Sequence, residues 1–205
     1  ALPDTIAAAK TLTSLSAGSM GLRALPPGIA RLSNLTELYL QSNAFDAVPD
    51  VLRQMQQLKN LSLGHMRIGN LPPWIGELKA LEFLTLEDCG LGELPASFWG
   101  LTNLKSLALS LNPKLTQIPE AIAGLTGLEV LNVHGCGLTG LPSAIGRLPR
   151  LKDLFIANNK IGALPDSVYA APLAVLSLGG NPMRPTPWYA FWSGRRFRAK
   201  TVYWK

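Results

Sequence analysis

Prolines stand at positions 3, 26, 49, 72, 95, 119, 142 and 165, every interval being 23 residues except one of 24. A second ladder, L-x-x-L-x-L-x-x-(N/C/M), keeps the same register. It opens degenerately at Leu12, Leu15, Ala17 and Met20, and runs through Leu35, Leu38, Leu40 and Asn43. Further copies continue to the last, at Leu173, Leu176, Leu178 and Asn181. Eight copies at one period leave little choice of fold, because each unit is too short to bury its own leucines and must stack on its neighbours.

Each unit can be read physically. In L-x-L the side chains alternate faces, so the leucines point inward and the intervening residues outward. After each proline, as in Pro119-Glu-Ala-Ile122-Ala-Gly-Leu125, apolar residues at i and i+3 follow a residue suited to the first turn of a helix. The expected fold class is α/β: a right-handed solenoid, or horseshoe, of about eight repeats. Its parallel sheet lies on the concave face and its short helices or 3-10 turns on the convex face. Two repeats are irregular: the one holding Asn112-Pro113-Lys114 has an extra residue, and the one holding Tyr169-Ala-Ala-Pro172 is one short.

The asparagine of the ladder falls at the bend after the strand, where buried backbone groups need side-chain partners. Cys89 and Cys136 take that place in two repeats; a thiol still donates weakly. Met20 and Met66 cannot, so gaps are expected there. Cysteines two repeats apart lie roughly 10 Å apart, beyond the ~7 Å a disulfide spans between Cα atoms. Both are read as reduced structural residues, consistent with a reducing, cytoplasmic-type compartment. No apolar run reaches the length of a membrane span. The chain opens at Ala1 inside a repeat, so a longer parent protein is expected.

The residues themselves resemble a known class. The pattern L-P-x-x-I-x-x-L-x-x-L-x-x-L-x-L-x-x-N is intact from Leu25-Pro26 to Asn43 and from Leu141-Pro142 to Asn159. It resembles the 23-residue leucine-rich repeat of plant intracellular Ras-group-related proteins and of bacterial proteins that share it. Those include type III secreted effectors of plant pathogens, in which repeats accompany a separate catalytic domain, in some cases a ubiquitin ligase. Val202-Tyr203-Trp204 is similar to a short G-V-Y-W element that follows the repeats in the plant group, with threonine in place of glycine. The resemblance implies a target-recognition domain of a larger effector-like protein, secreted from a bacterium into a host cell. It equally allows a recruitment domain for an enzyme whose catalytic part lies elsewhere.

The partner-facing residues follow from the alternation. Two outward strand positions and the two after them include Glu37, Glu87, Asp88 and Asp153 over eight repeats, and not one lysine or arginine. Tyr39, Phe83 and Phe155 add aromatic rings, with His65, His134 and Asn132 nearby. Such a face suits a protein partner with a basic or amphipathic surface and repels nucleic-acid phosphates. A second pattern, Lys59, Glu82, Lys105, Glu129 and Lys152 over five repeats, alternates in sign between neighbouring strands and is expected to support stacking and register.

No catalytic centre is expected within the chain. Glu87, Ser110 and His134 share a column in three consecutive repeats, but that order puts serine between acid and histidine, whereas a triad needs the histidine in the middle. His65 and His134, three repeats apart, are too distant to share a metal. No phosphate loop or metal motif occurs, so no cofactor is expected. Residues 1–181 form the repeat domain and residues 182–205 a basic, aromatic cap or the start of a linker. Six of the 19 basic residues follow position 181 and none of the 13 acids does, so the net charge of +6 belongs to this tail. Binding of nucleic acid or anionic membrane by the tail is an alternative. A monomer is expected, the oligomeric state being open.

Overall fold

The computed structural model describes residues 1–183 and 197–204. Arg184, Arg195, Arg196 and Lys205, with Trp188, Tyr189, Phe191 and Trp192, lie outside the described residues. Nine three-residue strands form one parallel sheet in chain order. They are β1 (Ser14–Ser16), β2 (Glu37–Tyr39), β3 (Asn60–Ser62), β4 (Phe83–Thr85) and β5 (Ser106–Ala108), then β6 (Val130–Asn132), β7 (Asp153–Phe155), β8 (Val175–Ser177) and β9 (Thr201–Tyr203). The ladder leucines set the register. Leu15, Leu38, Leu61, Leu84, Leu107, Leu131, Leu154 and Leu176 pair in one row, and Val202 extends it in β9. Both irregular repeats keep this row, so their extra and missing residues are absorbed in the turns.

Opposite the sheet the chain returns through short 3-10 turns such as Pro27–Arg31, Asp50–Gln54 and Pro73–Glu77, with one α-helix, α1 (Asp166–Ala170). The periodic proline sits one place earlier than the first helical residue. Pro26, Pro49, Pro72, Pro95, Pro119 and Pro165 are the residues before the turn and are extended, Pro49 at φ −60° and ψ 125°. The fixed φ serves either place. Here the proline carbonyl closes the turn, taking the Ile29 N–H on Pro26 at 3.1 Å. Between sheet and turns lies one continuous core, in which Leu38, Leu58, Leu86, Ile122, Leu131 and Leu154 have no exposed surface.

The bend after each strand is held as the ladder requires. Asn112 Oδ1 accepts from the backbone N–H groups of Cys89 and Leu91, and its Nδ2 donates to the carbonyls of Leu86 and Leu109. Asn43 and Asn159 do the same kind of work. Cys89 and Cys136 are free and buried, and their thiols donate to Leu63 and Leu109 carbonyls at 3.1 and 3.2 Å. Burial pushes the Cys89 thiol up to about 11, which keeps the proton that this bond uses.

Candidate partner-binding face

With the central leucines of β2–β8 buried and Leu15 partly so, the flanking residues of these strands stand on the outer, concave side. Glu37, Tyr39, His65, Phe83, Glu87, Asp88, Asn132, His134, Asp153 and Phe155 are all partly or fully exposed there. The register sorts them into columns. Tyr39, Ser62, Thr85, Ala108, Asn132, Phe155, Ser177 and Tyr203 follow one another strand by strand. Phe83 belongs to the other column, beside Asn60 and Ser106. Tyr39 and Phe155 are thus five strands apart, roughly 24 Å, and the three rings are separate points along the face rather than one cluster.

Several of the polar residues meet in pairs. Tyr39 donates its hydroxyl to Glu37 at 3.2 Å, and His65 Nδ1 lies 3.4 Å from Asp88. Ser110 Oγ donates to Glu87 at 2.6 Å. His134 is turned to the next repeat, its Nε2 3.4 Å from Asn158 Nδ2, while its backbone N–H donates to Asn132 Oδ1 at 3.0 Å. The Glu87–Ser110–His134 column therefore divides, serine to the acid and imidazole to the asparagine. Among the described residues no group of three or more His, Cys, Asp or Glu side chains converges as a metal site, and no helix is long and apolar enough to cross a membrane.

The alternating charges are mostly paired. Glu82 lies between Lys59, at 3.5 Å, and Lys105, at 2.5 Å, and Lys152 meets Glu129 at 2.6 Å. The Lys105 bond, against the opposing cost of burial, holds the Glu82 carboxyl below its ordinary value. The expected run of opposite neighbours breaks between Lys105 and Glu129. Lys105 makes its short ion pair with Glu82, and toward Glu129 its charge acts only through space, adding to Lys152 in lowering that carboxyl.

Leu111 escaped the sequence reading. It is 46% exposed, as Phe83 is, and its backbone is left-handed, with φ 59°. The same place in the other repeats is also left-handed but holds Ser19, Ser42, His65, Asp88, Gly135, Asn158 and Gly180. A single apolar residue in a column otherwise filled by polar residues and glycine is the signal that could have found it. Tyr203 and Trp204 are the other exposed aromatics near the groove's end.

A family model described as leucine rich repeat matches residues 94–138. No curated protein sequence matches the chain. Among solved structures, a leucine-rich-repeat protein of Leptospira interrogans superposes with a TM-score of 0.88 at 29% identity, covering 98% of this chain and 51% of that one. The leucine-rich-repeat domain of the type III effector XopL gives 0.64 at 30% identity, over 69% of this chain and 51% of that one. The ectodomain of the Arabidopsis thaliana membrane receptor kinase GASSHO1/SCHENGEN3, solved with CASPARIAN STRIP INTEGRITY FACTOR 2, gives 0.74 at 23% identity, over 100% of this chain and 25% of that one. The chain spans about half the length of the Leptospira and XopL structures. Period, sheet and comparisons agree on the fold: the chain is a leucine-rich-repeat solenoid, similar to these proteins in its repeats and its parallel sheet.

Proposed function

We propose that the concave face docks a protein partner with a basic or amphipathic surface, and that the chain works as a scaffold without chemistry of its own. Leucine-rich-repeat domains serve in general as protein–protein interaction modules. The observation that carries the finer reading is the charge of this face. Glu37, Glu87, Asp88 and Asp153 stand on it with no lysine or arginine in any of the outward positions of β1–β8. Interfaces draw most of their energy from a few anchors, aromatic residues among them, which Tyr39, Phe83 and Phe155 supply. The likeness to the XopL repeat domain supports a place in a bacterial effector as its target-recognition part, delivered into a host cell. Calorimetric titration with a cationic amphipathic helix, leucines at i, i+3, i+4 and i+7 and lysines on the other face, is the direct test. Substituting Tyr39, Phe83 and Phe155 together by alanine should weaken binding at least tenfold, and a charge-reversed glutamate peptide should not bind. Equal affinity of the triple variant rules this face out.

A further inference from the structure

Beyond the sheet, the loops that follow the first three strands enclose a cleft of about 330 Å³ at the rim of the groove. Arg23, Arg67 and His65 line it together with Asp46 and residues 43–45. Its charge is opposite to that of the concave floor. Neither arginine takes part in an ion pair among the described residues, although Arg53, Lys59, Lys105 and Lys152 all do. Asp46 is in none either. His65 spends Nδ1 on Asp88, and its Nε2 has no partner among the described residues.

The backbone beside this cleft lacks one rung of the asparagine ladder. In the first repeat the N–H groups of Met20 and Leu22 both donate to Asn43 Oδ1, at 3.1 and 2.9 Å. In the fourth, those of Cys89 and Leu91 donate likewise to Asn112. The corresponding N–H groups of Asn43 and Phe45 would look to position 66, where the ladder has a methionine without an oxygen. No hydrogen bond satisfies either among the described residues, and with Met66 buried beside them they belong to the interior of the bend rather than to the cleft. The donors that line the cleft are the two guanidinium groups without an ion pair and the open His65 Nε2, a set that takes an oxyanion, arginine in the two-pronged manner.

The geometry points to an oxyanion subsite at this rim, which takes a carboxylate or a phosphoryl group between Arg23 and Arg67, with Asp46 as the resident competitor. It does not depend on what fills the concave floor. The two surfaces together would select a partner that presents an acidic group beside its basic or amphipathic stretch.

The test is an amide-resolved NMR titration of the whole chain with sodium phosphate, and separately with sodium acetate, against sodium chloride at constant ionic strength. Saturable shifts confined to residues 43–46 and 65–67 are expected with phosphate or acetate, and the tighter of the two identifies the group. Replacing Arg23 and Arg67 together by glutamine should weaken the response at least tenfold, with the remaining spectrum unchanged. Asp46→Asn should tighten it severalfold by removing the competing carboxylate. Shifts that chloride reproduces, or that survive the double substitution, would overturn the assignment. So would an Asp46→Asn variant with weakened binding.

Discussion

A left-handed residue ends every strand's run along the groove, and its cost depends on the side chain that occupies it. Glycine bears that conformation freely, and asparagine and aspartate at small cost, whereas leucine is disfavoured by roughly 1–2 kcal/mol. Leu111 pays this at φ 59° while nearly half exposed, so the fold gains little from it. Leu111→Gly should therefore stabilise the chain by about 0.5–1 kcal/mol, read from the urea midpoint, and an unchanged or lower midpoint would show that its packing outweighs the strain. The opposite holds for Asn112, which is fully buried and satisfies two N–H groups and two carbonyls at once. Asn112→Ala strands the two N–H groups and the Leu86 carbonyl, while the Leu109 carbonyl keeps the Cys136 thiol, and each unmet buried group costs about 1–3 kcal/mol. A loss on the order of 3 kcal/mol or more in chemical denaturation is expected. Asn112→Cys should recover part of it, because Cys89 and Cys136 already serve the previous repeat's carbonyl through a thiol.

Strands of three residues hold few bonds of their own, and what joins them differs between the two flanks of the sheet. On the concave approach, Lys59, Glu82 and Lys105 tie β3, β4 and β5 across consecutive repeats. These are surface pairs, so Glu82→Gln should cost less than about 1 kcal/mol. Their pH dependence has a definite sign. A carboxyl held below its ordinary value contributes stability that is fully present above the unfolded value of about 4.5 and is lost as pH falls through the lower folded value. The Glu82→Gln variant should lose that part of the acid-side decline and match its parent more closely below pH 4. On the convex side, acids that follow the proline reach to the next turn. Glu120 accepts from the N–H groups of Ser143 and Ala144 at 2.8 and 2.9 Å, and Asp4 accepts from Gly28 at 2.6 Å. Each satisfies N–H groups at the start of a short helical turn that has no capping side chain of its own.

A stack in which each repeat touches only its neighbours distributes stability by position. A central leucine has core on both sides, so Leu107→Ala, at a residue with no exposed surface, should cost about 2–5 kcal/mol. At the far end, β9 pairs with β8 from Thr201 to Tyr203. Phe197 stacks on Tyr169 with ring centroids 4.6 Å apart and meets Trp204 edge-on at 5.9 Å. Phe197→Ala should accelerate hydrogen exchange in β7 and β8 while leaving β3–β5 protected. Equal acceleration throughout would mean that the stack unfolds as one unit and that this end governs it.

The repeat class, the sheet, the inward leucines and the asparagine bends were legible because they depend on spacing alone. A period of 23 with alternating faces fixes which side chains point inward, wherever the units sit. The outward residues, Phe83 and Asp88 among them, were legible for the same reason. Contacts between repeats were not. That Ser110 bonds to Glu87 while His134 turns to Asn158, and that Lys105 chooses Glu82 over Glu129, depends on rotamers settled by neighbours on both sides. Leu111's strain and the rim cleft needed the backbone of consecutive repeats in space. Arg23 and Asp46 share one place in successive repeats, three residues past the ladder position, but His65 and Arg67 flank that position in the third repeat, and only the folded loops bring the four to one cleft. In the folded chain the acidic concave face carries Tyr39, Phe83 and Phe155 as separate points, with Arg23 and Arg67 in a cleft at one rim, because the register spaces the strands and only the loops bring the arginines together.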